Sequence, residues 1–201
     1  MDKIKPAVKK VRAVLQARWR DLKVFLDESW SEITRTEDPQ ELQLVDFLRN
    51  VKLFEGLKKN TEFLSLIKFL HRRQYSKDEV IFSEGDPASA LYIVEQGQVA
   101  LQGDAADSFK EKLLEEGDFF GELAVCLEHK RTAEARARSA VTIYLLFRKN
   151  FQRFVQRYPQ SGLQILLNLN RQLATDLRKT ELEMSRLSSQ TDQTKEPADS
   201  V

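Results

Sequence analysis

The chain has 201 residues, 32 Lys and Arg against 31 Asp and Glu, a formal net charge of +1 at pH 7, and one cysteine, Cys126. That length holds one core of ordinary size with extensions. The charge balance argues against wholesale nucleic-acid binding, which shows as a strongly basic domain, and a lone cysteine excludes an intrachain disulfide or a cysteine-based metal cluster. Without a disulfide framework a reducing compartment, the cytoplasm, is expected. The basic start lacks the apolar region of a secretory leader, and no run nears the roughly 18 apolar residues of a spanning helix.

From Ile4 the apolar residues fall at Val8, Val11, Leu15, Trp19, Leu22, Leu26, Trp30 and Ile33, steps of three and four that predict one long amphipathic helix. Its first 23 residues carry eight Lys and Arg against only Asp2 and Asp21, so its solvent face is basic. Three readings stand: it docks on an acidic protein, which is the expected partner; it lies on anionic lipid, the less favoured case; or it folds back on its own domain. Thr34 to Pro39 breaks it, and a second helix is expected from about Gln40 to Asn50. Leu53 to Gly56 reads as a turn, and Phe63, Leu64, Ile67 and Leu70 as a short helix ending near His71.

After that the period changes. Val80–Phe82, Leu91–Val94, Val99–Leu101, Lys112–Leu114 and Val141–Phe147 are short β-rich runs separated by Gly, Asp and Pro turns. This predicts an α+β chain built on a small antiparallel β-roll, jelly-roll-like, with flanking helices. Helical character returns at about Lys149, breaks at Tyr158-Pro159, and resumes from about Gly162 to Leu187. In that long helix Leu166, Leu169, Leu173, Leu177, Thr180, Met184 and Leu187 form one stripe. Packing on the roll accounts for its first half as well as a coiled coil does, and the second half favours a coiled-coil seam and a homodimer. The domains expected are therefore a helical extension over 1–47, the roll domain over 48–187, and a polar tail over 188–201 with too little to bury to be ordered.

The densest signal is Gly117-Asp-Phe-Phe-Gly-Glu-Leu-Ala124, followed by Arg131-Thr-Ala133. A glycine lets backbone approach a ligand, and a helix beginning after it turns N–H groups toward an anion. Arg131 offers a planar fork of donors for two phosphate oxygens, and Glu122 offers acceptors for sugar hydroxyls. The two fit a ribose joined to a phosphate. A surface salt bridge between them is the competing reading.

Phe120 to Ala124 with Arg131 to Ala133 resembles the phosphate-binding cassette of cyclic-nucleotide-binding domains, as in catabolite activator proteins, kinase regulatory subunits and cyclic-nucleotide-gated channels. Phe82-Ser-Glu-Gly-Asp86, Leu91–Val94 and Gly97–Val99 resemble the family's early strands in order, so the likeness spans about Leu48 to Leu187. It implies a cyclic mononucleotide ligand, cAMP or cGMP, with Glu122 on the ribose 2′-hydroxyl and Arg131 on the cyclic phosphate. The backbone at Gly121, Leu123, Ala124 and Ala133 would line sugar and phosphate, and Thr132 would donate to a phosphate oxygen or a guanine amino group. The long helix would pass over the purine near Asp176, which either accepts from an adenine amino group or pairs with Arg171 or Lys179. Asp78 stands where the family turn usually has glycine, Lys130 where proline is common, and Val125 where a leucine usually relays ligand arrival to the next helix.

Only fourteen residues follow Leu187, too few within this sequence for the winged helix-turn-helix of a transcription factor, so no DNA partner is expected. There is no P-loop, kinase signature or metal-ligand spacing, and His71 and His129 stand apart. The expectation is a sensor without catalytic activity or cofactor; its rival is a scaffold that keeps the fold without the nucleotide.

Overall fold

The computed structural model describes residues 38–103 and 111–193. The long helix expected over 4–33 lies outside them. Helix α1 (Pro39–Asn50) begins where the sequence breaks: Asp38 accepts the Gln40 amide at 2.9 Å, and Pro39 suits a first turn, where its missing N–H leaves nothing unsatisfied. A 3-10 turn (Lys52–Phe54) and helix α2 (Asn60–Ile67) follow. The Glu62 carboxylate takes the amides of Lys58 and Lys59 at 2.9 and 2.8 Å, tying down the entry to α2.

Helix α2 ends at Ile67, not near His71. Leu70–Tyr75 is strand β1, which pairs antiparallel along its whole length with β8 (Val141–Phe147), from Leu70 opposite Leu146 to Tyr75 opposite Val141. Leu-His-Arg-Arg-Gln-Tyr shows no alternation because positions 71 to 74 are all exposed. The ladder with a buried neighbour decides this segment, and local pattern does not.

Two four-stranded antiparallel sheets make the roll, ordered β1-β8-β3-β6 and β2-β7-β4-β5. Here β2 is Val80–Phe82, β3 Ala90–Gln96, β4 Val99–Gln102, β5 Lys112–Leu114, β6 Phe119–Phe120 and β7 Glu134–Ala137. Tyr92, Val94, Val99, Leu114, Phe120, Ile143 and Leu145 fill the space between the sheets. On β7 only Ala135 and Ala137 point inward, while Arg136 and Glu134 pair outside at 2.7 Å. Asp78 takes φ 66° and is the one non-glycine residue with positive φ among the described residues; its short polar side chain tolerates that conformation.

Three helices complete the domain: α3 (Leu123–Cys126), α4 (Arg148–Arg157) and α5 (Pro159–Gln193). Helix α5 starts three residues before the expected Gly162 and runs past Leu187. It is pinned to the 3-10 turn by Asn168, whose Nδ2 donates to the carbonyls of Leu53 and Glu55 at 3.0 and 2.7 Å. The expected stripe keeps to one side of the helix, but its surroundings change along it. Leu169 is buried with Ile165 against the domain, Thr180 faces a cavity, and the exposed apolar side chains are Leu163, Leu166, Leu167, Leu177 and Met184. At 3.6 residues per turn Leu177 and Met184 lie roughly 60–80° round the helix from Leu169, so the change is in what the face meets along its length. Among the described residues no helix is long and apolar enough to cross a membrane.

Candidate functional site

A cavity of about 890 Å³ is walled on one side by β6 and the turn through Leu123, on another by His129 and Arg131 to Ala133, and on a third by α5. Gly121 makes the turn at φ +69°. A Cβ there would sit 2.5 Å from Nη1 of Arg131 and 3.4 Å from the Ala90 carbonyl oxygen. The guanidinium therefore lies across the glycine, and a side chain would displace it. Glu122 then enters α3 in helical conformation (φ −61°, ψ −30°). Helix α3 is a single turn: the Ala124 and Val125 amides are spent on the Gly121 and Glu122 carbonyls at 3.1 and 3.2 Å.

Arg131 is held by its backbone to the turn before β3. Its amide donates to the Asp86 carbonyl at 2.8 Å, and its carbonyl accepts the Gly85 amide at 2.9 Å. The side chain is only 5% exposed. Nη2 donates to the Ala90 carbonyl at 2.8 Å, the guanidinium carbon lies 4.1 Å from the Phe82 ring centre and 5.2 Å from that of Tyr92, and buried Nε has no hydrogen-bond partner. Burial pulls the guanidinium pKa down against the opposing pull of the Tyr92 phenol and the Glu122 and Asp86 carboxylates. Burial in turn pushes the Tyr92 phenol up, with Arg131 working against it.

Arg131 makes no ion pair with any described residue, so the salt bridge to Glu122 that competed with a ligand site does not form. What results is a desolvated cation with an unpaired donor, in a residue that lines the cavity. Leaving a buried charge uncompensated is costly, and an anion entering the cavity would offset that cost.

Of the residues singled out from sequence, Gly121, Glu122, Leu123, Arg131, Thr132, Ala133 and Asp176 line this one cavity. Ala124 does not. It is fully buried, and its carbonyl accepts Nε of Arg148 at 2.6 Å. Arg148, the first residue of α4, also donates to the Ala88 carbonyl at 2.6 Å and pairs with Glu128 at 2.9 Å. The one-turn helix beside the cavity is thus bolted to the helix that leads into α5. Val125 packs at 5% exposure in the same turn.

Asp176 accepts from Gln172 at 2.9 Å and lies 4.0 Å from Lys179, whereas Arg171 donates to Asn168 instead. Gln172, Lys179, Glu183 and Arg186 line the cavity beside it. Their spacing of three and four along α5 was a readable signal, a polar stripe at helical period. Phe82, Leu101, Glu111, Lys112 and Phe119 also line the cavity; Phe82 and Phe119 lie in motifs that the sequence marks, whereas Leu101 and Lys112 had no local signal and reach it through the fold.

Residues 72–158 match the family model of the cyclic nucleotide-binding domain. The cyclic AMP receptor protein of Thermus thermophilus is 32% identical over 143 residues, 70% of this chain and 64% of that protein. A cAMP-dependent protein kinase regulatory subunit of Colletotrichum orbiculare is 35% identical over 111 residues, 55% of this chain and 28% of that one. The chain thus spans less than two thirds of either relative. The crystal structure of the Thermus thermophilus catabolite activator protein superposes with a TM-score of 0.59 at 33% identity, covering 68% of this chain and 63% of that one. A cyclic nucleotide-binding domain from Methylobacillus flagellatus shares the fold at 18% identity, with a TM-score of 0.63 over 72% of this chain and 84% of that one.

Proposed function

Because the chain carries a cyclic nucleotide-binding domain, we propose that it is a non-catalytic cytoplasmic sensor of a 3′,5′-cyclic mononucleotide, cAMP or cGMP, which passes the signal through its helices to a protein partner. The observation that carries this reading is Arg131: a buried cation with no acid partner and an unpaired Nε, in the wall of a cavity large enough for a nucleotide. A scaffold indifferent to nucleotide would leave that arrangement without a purpose. The similarity to a cyclic AMP receptor protein and to cAMP-dependent kinase regulatory subunits favours cAMP.

In this reading the cyclic phosphate takes Nε of Arg131 and the Thr132 hydroxyl, and the ribose 2′-hydroxyl donates to Glu122. The purine lies toward Gln172 and Asp176 on α5. Phosphate entry draws the Gly121 to Ala124 turn inward, and Arg148 carries that movement to α4, since it holds the Ala124 carbonyl and the start of α4 together. Helix α5 then closes over the base, and the shift in its population is the output. Two chains associate through the exposed Leu177 and Met184 side of α5, because an isolated helix would leave that apolar surface in water. The basic segment before residue 38 engages the protein partner.

Calorimetric titration of the folded protein with cAMP and with cGMP tests the reading. One of them binds at one site per chain, and failure of both at millimolar concentration removes it. Light scattering on the same sample gives twice the chain mass; a monomer mass at tens of micromolar overturns the dimer alone.

A further inference from the structure

Burying a guanidinium normally calls for a carboxylate partner, and Arg131 has none within 4.0 Å among the described residues. What it has is an aromatic wall. Phe82 stands 4.1 Å below the guanidinium carbon and Tyr92 stands 5.2 Å away. Phe82 is itself braced by Tyr92 and Phe120 at ring separations of 5.3 and 6.0 Å.

The strand that delivers Phe82 is irregular at this point. Val80 lies opposite Arg136, but Phe82 lies opposite Ala135, a register shift between them. Such an irregularity re-aims a side chain, and here the ring that follows it lines the cavity.

We propose that Phe82 is a positioning residue for nucleotide binding, holding the Arg131 guanidinium flat and aimed into the cavity before the phosphate arrives. This rests on the reading of the cavity as a cyclic-nucleotide site. A planar cation can present its face to a ring and its edge to an oxygen simultaneously. An acid partner would occupy the donor edge and would have to be displaced by the phosphate. The ring occupies only the face, so it supports the arginine in the empty and the filled state alike and lowers the ordering cost of binding. The Ala90 carbonyl fixes one end of the fork through Nη2, and Nε stays unpaired.

The test is a double-mutant cycle read by cAMP and cGMP titration, with Phe82→Leu and Phe82→Tyr made in the parent and in the Arg131→Lys background. Leucine keeps an apolar side chain without the ring face, so Phe82→Leu weakens binding by about tenfold in the parent, the size expected of a desolvated cation–π contact. Phe82→Tyr stays within about twofold of the parent because the ring face is kept. In the Arg131→Lys background, where no planar fork is left to hold, Phe82→Leu adds less than about twofold. In the empty protein the Arg131 side-chain protons lose the Phe82 part of their ring-current shift in Phe82→Leu, a readout that needs no ligand.

An equal loss in both backgrounds means that Phe82 merely packs the roll, and overturns the proposal. So does a Phe82→Leu variant that binds like the parent, or an Arg131 proton shift that the substitution leaves unchanged. A parent protein that binds neither nucleotide fails the sensor reading itself, a separate result visible before any variant is made.

Discussion

Arg131→Ala is expected to weaken cyclic-nucleotide binding by roughly thirty-fold to several thousand-fold, the range that follows from about 2–5 kcal/mol for truncating one partner of a desolvated charge pair. The same substitution is expected to move the melting temperature little. In the empty protein Arg131 has no acid to leave behind. Its removal frees the Ala90 carbonyl, at a cost of about 1–3 kcal/mol if that oxygen stays dry, but it also removes a desolvated charge and an unsatisfied Nε. Trading a buried charge for an apolar group is often neutral or favourable. Affinity and melting temperature measured on one preparation decide the matter. A large loss of stability with unchanged affinity would make Arg131 a structural residue.

Gly121→Ala should abolish most binding although no charged residue is substituted. Two costs arise: an L-residue at φ +69° is disfavoured by about 1–2 kcal/mol, and the new Cβ would meet Nη1 at 2.5 Å. The second contact pushes the guanidinium off its aim, so affinity falls by about one hundred-fold, in the range seen when a positioning contact is misplaced by about 1 Å. Gly117→Ala supplies the control. Gly117 has φ +85°, but nothing lies within 4 Å of its Cβ position, so this variant carries the backbone cost alone and keeps its nucleotide affinity. Equal affinities for the two variants would show that the crowding at Arg131 is irrelevant to binding.

How far the sequence could be read varies with how local the cause is. Strands β2, β5 and β8 appear at the residues their apolar runs mark, since those runs are bounded by turn residues that act within a few positions. Strand β1 was illegible because Leu70 continues a helical spacing and the next four side chains all face water; only its pairing with β8 makes it a strand. Strand β7 carries an alternation written in alanine, a residue with little β-preference.

The cassette was legible because its turn and its arginine are ten residues apart in one hairpin-like unit. Phe82 and the Gln172 to Arg186 stripe reach the same cavity from far along the chain. Ala124 sits on the buried side of its one-turn helix, and a four-residue helix gives too little period to assign a face from sequence. The leucine stripe keeps one face, but burial along it was not legible. Along a helix as long as α5 the same face meets the roll at Leu169, the cavity at Thr180 and solvent at Leu177 and Met184.

The central claim is that the unpaired Nε of Arg131 is where the phosphate binds. The Arg131 Nε–H resonance, identified in arginine-labelled protein by its disappearance in Arg131→Lys, reports on that atom directly. On titration with cAMP or cGMP the account predicts a large downfield shift of this one resonance, saturating at one nucleotide per chain, with slowed exchange against water. A resonance that stays in place at millimolar excess of both nucleotides, in protein that remains folded, would contradict it.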